Sequence, residues 1–289
     1  MSEKQRIEMV NEPEKSNEEI VVDDFYDYAM RRNETLKGIP ESEIKPFIDK
    51  AVKEIDLLEE VAERDKGRFN LPEEIAKDIG TIWVFSGPGT YFEPRKEDRY
   101  KNYPWAENMD RIRLNHATRL ARKITESVSG QSFKAPLSEI VPVKRRTKEA
   151  IRNFGPSIIY NGNTVENEAV AKAMVQEETI VPKEKVDIIE GNIDNTVDQV
   201  KTFKLPDEFE KGKEVALVSH APHLARIVRM INKYRPFPEG TKIRLFPVPT
   251  PEEGREEYAK MEVCGTLYYT YITEDATEEP YPYEISYPL

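Results

Sequence analysis

The feature that most constrains this chain is a change of rhythm at Thr81. From there, short apolar runs alternate with amphipathic stretches: TIWVFS (81–86), SIIYN (157–161), VDIIE (186–190), VALVS (215–219) and KIRLF (242–246). Each run is almost continuously apolar, the pattern of a strand covered on both faces. Between them, MDRIRLNHATRLARKI sets Met109, Ile112, Leu120 and Ile124 at helical spacing, and HLARIVRMI sets Leu224, Ile227, Val228 and Ile231 at i, i+3, i+4 and i+7. Such alternation predicts βαβ units and hence an α/β, Rossmann-like three-layer domain with a mostly parallel sheet. The strands and helices fall between about 81 and 250, and the domain is expected to run on to 273.

The flanks read differently. Residues 1–22 have few large apolar side chains and many Glu, Lys and Asn, which predicts a loose tail. Residues 23–80 predict an N-terminal helical extension packed on the core. Within it, Ile44, Phe47, Ile48, Val52, Ile55, Leu58 and Val61 lie near one face, with Ser42 as the expected cap. Two insertions are expected, at about 88–108 and 128–156. The first carries Tyr91, Phe92, Tyr100, Tyr103 and Trp105, and reads either as a lid over a ligand or as a loop packed on the domain. Residues 274–289, rich in Pro, Tyr and acid, are expected to form a C-terminal tail or an arm on a neighbour.

With 289 residues, 38% hydrophobic, the chain can bury one good-sized core with appendages. Its 43 basic and 54 acidic residues give a net charge of −11, which argues against a nucleic-acid partner. The one basic cluster, VKRRTK (143–148), has no interleaved aromatics and reads as solvated surface. A single cysteine, Cys264, forbids an intramolecular disulfide. The first twenty residues have no apolar h-region, and no stretch approaches the roughly 18–20 apolar residues of a membrane span. A soluble, cytoplasmic protein without a membrane partner is the expectation.

Open parallel sheets bind ligands outside the carboxyl ends of their strands, where the topology reverses. After the first four runs come Ser86-Gly87-Pro88-Gly89, Asn161-Gly162-Asn163-Thr164, Glu190-Gly191-Asn192 with Asn195-Thr196, and Ser219-His220-Ala221-Pro222-His223. NTVE (163–166) and NTVD (195–198) read as helix caps, with the acid at the third helical position reaching back. The fourth loop has no such cap. Pro222 suits the first helical position, which would put Ala221, without a side-chain acceptor, at the cap. An uncapped helix start at a strand end is a ready anion site. His223 and Arg226, three apart, would reach the same anion, Arg226 with a guanidinium fork that matches phosphate or carboxylate. His220 precedes the helix and does not share a face with His223, so no metal site is expected. SGPGTY does not carry GxGxxG spacing, and there is no P-loop lysine, GxSxG or CxxC.

LVSHAPHLAR resembles a segment of the YdcF/SanA/ElyC-like family, in which a strand runs into Thr-Ser-x-x-His-Met-x-Arg. FSGPG, RLNHA (113–117), YNGNTVENEA and IIEGNIDNTVDQ are similar to further blocks of that family, in the same order, over roughly residues 80–250. The resemblance implies a Rossmann-like fold of the soluble branch. It also implies a strand-end pocket for a nucleotide-like ligand, S-adenosylmethionine among the candidates. It points to Gly87, Arg113, Gly162, Glu168, Glu190, Asn195, Thr196, Ser219, His223 and Arg226. The chain departs from the pattern where Asn161 and Asn163 replace a small Ser and a Gly, where Asp198-Gln199 replaces Glu-Asn, and where His220 stands for Ser.

Two functional expectations follow. One is a hydrolase or transferase acting on a small anionic or nucleotide-like molecule. In it His223 and Glu190 are catalytic, and Gly87, Gly89, Arg113, Asn161, Gly162, Asn163, Glu168, Asn195, Thr196, Ser219, His220 and Arg226 bind the ligand; Arg113 and Arg226 form a charge clamp. The other is a binding or sensor module with the same pocket and no turnover. An assembly role for the helical extension and acidic tails ranks behind both.

Overall fold

Trp83 and Phe85 point to one side of their strand and Ile82 and Val84 to the other, and all four are fully buried. That two-sided burial is what the continuous apolar runs predict. The computed structural model describes residues 16–69, 71–87, 108–133, 140–175, 180–191 and 193–286. In it the runs become β1 (Ile79–Phe85), β2 (Ser157–Asn161), β3 (Val186–Ile188), β4 (Glu214–His220) and β5 (Lys242–Val248) of one parallel sheet. A sixth strand, β6 (Tyr283–Ile285), completes the order β3-β2-β1-β4-β5-β6.

β6 corrects the expectation of a C-terminal tail over 274–289. It lies parallel to β5, with Arg244 Nη1 donating to Ile285 O at 3.0 Å and Ser286 N to Leu245 O at 3.0 Å. A three-residue edge strand is too short to show a period, so only its hydrogen bonds reveal it.

Helices cover both faces. On the face of Ile82 and Val84 pack α3 (Glu73–Asp78), α4 (Met109–Ser129), α5 (Ile140–Phe154) and α6 (Thr164–Val175), through Ala76, Leu114, Leu120, Ile124, Ile151 and Val170. On the face of Trp83 and Phe85 lie α7 (Thr196–Thr202) and α8 (Ala221–Tyr234), through Val197, Val200, Leu224, Ile227, Val228 and Ile231. Much of the expected 128–156 insertion is therefore the end of α4 and the crossover helix α5. The expected 88–108 insertion, with its aromatic residues, lies outside the described residues except for Asn108.

The N-terminal layer consists of α1 (Asn17–Arg32) and α2 (Glu41–Asp65), packed with α9 (Arg255–Tyr271) around Phe25, Ile44, Phe47, Ile48, Ile55, Val263 and Leu267. α1 starts inside the expected 1–22 tail, fixed by a reciprocal Ser16/Glu19 capping box. α2 starts at Glu41, so Ser42 sits inside the first turn and not at the cap. Pro40, already restricted in φ, holds the cap position without a side-chain bond. Buried ties hold this layer to the sheet domain: Glu54 of α2 pairs with Arg229 of α8 and accepts from Tyr283 Oη of β6 at 2.7 Å.

Candidate functional site

The strand order reverses between β1 and β4, so the crevice of an open α/β sheet falls at their carboxyl ends. Gly87 leaves β1 with φ +73°, a conformation that glycine adopts without strain, and its N–H donates to Asp110 Oδ1 at 2.6 Å. One turn on, Arg113 is fully buried. It donates to Phe85 O at 3.1 Å, to Tyr258 Oη at 3.1 Å and, through Nε, to His220 Nδ1 at 2.9 Å. An accepting Nδ1 puts the His220 proton on Nε2. Burial, reinforced by the Arg113 charge, holds its pKa well below the ordinary imidazole value, so the ring is neutral. Arg113, expected in a charge clamp, thus lies beneath the rim and positions His220.

α8 follows without a linker. His220 is its cap residue, makes no side-chain capping bond, and Pro222 lies in the first turn. The expected uncapped start is present, one residue earlier than Pro222 alone suggested. His223, 2% exposed, is held on both ring nitrogens: Ser219 Oγ lies 3.0 Å from Nδ1 and Thr196 Oγ1 3.1 Å from Nε2. Arg226 Nη2 donates to the same Thr196 Oγ1 at 3.1 Å, so one hydroxyl joins the guanidinium to the imidazole. Glu262 of α9 meets the guanidinium, Oε2 to Nε 2.9 Å, and Tyr269 lies under it at 5.7 Å. Gly265 permits this approach, since a Cβ there would sit 3.1 Å from Arg226 Nη1.

A second buried network joins β1, β2 and α7. Trp83 Nε1 donates to Asn161 Oδ1 at 2.8 Å, and Asn161 Nδ2 donates to Gln199 O at 2.6 Å. Gln199 Nε2 returns a bond to Asn161 O at 2.8 Å and another to Ser86 Oγ. Asn161 and Gln199 are two of the positions at which the chain departs from the resembled pattern, and here they bond each other. The Asn161 side chain, expected at a ligand, is fully buried and occupied by the sheet.

The capping motifs form. Asn163 Oδ1 accepts from Glu166 N at 3.1 Å while Glu166 Oε2 accepts from Asn163 N at 3.0 Å. Gly162 makes this turn possible, since a Cβ there would meet Glu166 Oε2 at 2.7 Å; its N–H goes to Asn167 Oδ1 at 2.9 Å. Asn195 caps α7 through Asp198 N at 3.1 Å, but Asp198 reaches back to Asp194 N at 3.0 Å, one residue beyond the expected partner. Glu168 and Glu190 are exposed, and no bond described here joins them to the His223 network. Gly89 lies outside the described residues.

The structure therefore brings Gly87, Arg113, Asn161, Thr196, Ser219, His220, His223 and Arg226 to the switch point, and leaves Glu168 and Glu190 outside the network. Sequence reasoning missed Asp110, Gln199, Tyr258 and Glu262. Asp110 and Arg113 carried a signal, an opposite-charge i,i+3 pair in the first turns of an amphipathic helix. Tyr258 and Glu262 arrive from the helix after β5 and carried none. Among the described residues, no three His, Cys, Asp or Glu side chains group as metal ligands, and no helix is long and apolar enough to cross a membrane. No protein-family model, curated protein or solved structure matches this chain.

Proposed function

We propose that the crevice between β1 and β4 binds a small anionic or nucleotide-like ligand, S-adenosylmethionine among the candidates, and acts on it as a hydrolase or transferase. One observation carries the reading: His223 and Arg226 sit on the uncapped first turns of α8 at the topological switch point, joined through the Thr196 hydroxyl. A helix start without a side-chain cap at a strand's carboxyl end suits an anion. His223 is the proton-transfer group, and a ligand reaches one of its ring nitrogens by displacing Ser219 or Thr196. Arg226 supplies charge once the ligand competes with Glu262. Exposed Glu190 anchors the ligand at the outer edge of the rim, or acts as base if the ligand spans that far. The resemblance to the YdcF/SanA/ElyC-like family supports the same reading, and a cytoplasmic location with a small-molecule partner belongs to it.

The alternative is a sensor or binding module without turnover. It is favoured by the way the His223 ring and the Arg226 fork are already engaged by Ser219, Thr196 and Glu262.

A thermal-shift screen of nucleotides, sugar phosphates and S-adenosylmethionine, with and without divalent cations, tests the proposal. His223→Ala and Arg226→Ala are expected to abolish the melting shift of the best ligand while circular dichroism stays native. If both variants keep the full shift, the pocket assignment is wrong. Turnover of the hit selects the enzyme, and binding without turnover selects the sensor.

A further inference from the structure

Beside the switch point, at the carboxyl end of β5, lies a separate cluster that the network above does not use. Glu59 of α2 is 7% exposed and Thr250, just past β5, is 2% exposed. Thr250 N donates to Glu59 Oε2 at 3.3 Å, and Arg255 Nε lies 3.8 Å from the same oxygen. The outer end of Arg255 is fixed by Glu63 Oε1 at 2.6 Å and Thr250 O at 2.9 Å. Glu59 Oε1, Thr250 Oγ1 and Arg255 Nε are all shielded from solvent, and none makes a hydrogen bond. Thr250 and Arg255 line a cleft of about 460 Å³ together with Glu63, Pro249, Pro251 and Glu252, and Glu59 lies behind Thr250, accepting from its N–H.

Three buried polar atoms that make no hydrogen bond, gathered in one place, cost the fold stability. Such a group in a native fold calls for an explanation. Packing does not supply one here, because Val at 250 would fill the same volume without the penalty. The chemistry of the three atoms selects the guest. Arg255 Nε donates only, Thr250 Oγ1 donates and accepts, and Glu59 Oε1 accepts or, when protonated, donates. An ammonium has no acceptor for Arg255 and would be repelled by it. An anion would face Glu63 and Glu252 at the mouth. A neutral hydroxyl both donates and accepts, and two on adjacent carbons match the carboxyl and the guanidinium edge together.

We propose that this cleft is a subsite for a neutral vicinal diol, as carried by a sugar or polyol, held by Glu59, Thr250 and Arg255. Burial raises the pKa of Glu59 above its ordinary value, against the lowering effect of the Thr250 bonds and Arg255. Arg255, 35% exposed at its side chain, has room to adjust as the diol enters. The helical extension, silent in sequence, thereby contributes to recognition. The proposal does not depend on the ligand assigned to His223 and Arg226.

Saturation-transfer NMR with adenosine, 2′-deoxyadenosine, ribose and ethylammonium, on the full chain and on its Thr250→Val variant, tests it. Adenosine, ribose or both should bind, and removal of the 2′-hydroxyl should weaken adenosine roughly five- to tenfold, the size of one neutral hydrogen bond. Binding of ribose alone at similar strength identifies a free sugar as the source of the diol, and binding of adenosine only identifies a nucleoside. Thr250→Val should lose binding by a similar factor while its unliganded melting temperature holds or rises. Saturation by none of the diols, equal binding of the deoxy probe, preference for ethylammonium, or undiminished binding to Thr250→Val would each overturn the proposal.

Discussion

Replacing Asn161 by Ala isolates what the second network does. The side chain has no exposure, and its two bonds, from Trp83 Nε1 at 2.8 Å and to Gln199 O at 2.6 Å, are side-chain links between β1, β2 and α7. Alanine strands the indole N–H and the Gln199 carbonyl. Each stranded buried group costs about 1–3 kcal/mol. The Gln199 carbonyl keeps a Thr202 hydroxyl at 3.4 Å, which puts its share at the low end. The sum is about 2–4 kcal/mol, or a fall in melting temperature of roughly 3–7 °C for a chain of this size. Asn161→Ser, which restores the residue of the resembled pattern, should fare little better, because its shorter hydroxyl does not span both partners. Urea unfolding followed by circular dichroism and tryptophan fluorescence measures the loss, and an unchanged m-value keeps it interpretable. The melting shift given by the best ligand should survive, since Asn161 holds the sheet and not the ligand. Stability of Asn161→Ala within about 1 kcal/mol of wild type, a third of the expected loss, would refute this account of the network.

Two further perturbations test other parts of the structure. Glu54→Ala removes the carboxylate that pairs with Arg229, a side chain only 3% exposed, and should destabilise by about 3–5 kcal/mol. Tyr283→Phe, which loses one charge-assisted bond to the same carboxylate, should cost about 1.5–3 kcal/mol; a double-mutant cycle in urea reads the coupling. Glu59→Gln tests pH. The folded pKa of Glu59 is raised above its ordinary 4.5 by burial, so this group favours the fold below pH 4.5 and loses that contribution as pH rises through its raised folded value. The Gln variant should therefore be more stable than wild type at pH 8, by a margin that shrinks toward pH 4.5; a margin independent of pH would show that Glu59 ionises normally.

Much of this fold was legible because both-face burial leaves a direct trace. TIWVFS, SIIYN, VALVS and KIRLF are strands to within two or three residues at each end, since a strand inside a three-layer domain tolerates few polar side chains. Tyr283–Ile285 left no trace, because an edge strand of that length is specified by its pairing with β5. The start of α2 was misread at Ser42 because a proline held the cap. In the site, His223 and Arg226 were readable from helical spacing, and Thr196 and Ser219 from the loops that follow strands. Glu262, which neutralises Arg226, was not: it shares no local pattern with its partner and meets it only through the packing of α9 on α8. Glu190 was placed correctly after β3, but position after a strand does not fix direction, and its side chain faces solvent.

The chain has three histidines, so side-chain ¹⁵N–¹H NMR reads the central claim with little overlap. Burial, reinforced by Arg119, pushes His116 down to about 3, and His220 lies well below the ordinary imidazole range, so neither should titrate between pH 5 and 8. The remaining spin system belongs to His223. Titration with phosphate, AMP and S-adenosylmethionine should move the His223 ring resonances with at least one of the three, while the tautomer signals of His116 and His220 stay fixed. If His223 stays still with every probe at millimolar concentration, or if His116 or His220 moves in its place, the switch-point site does not bind as proposed.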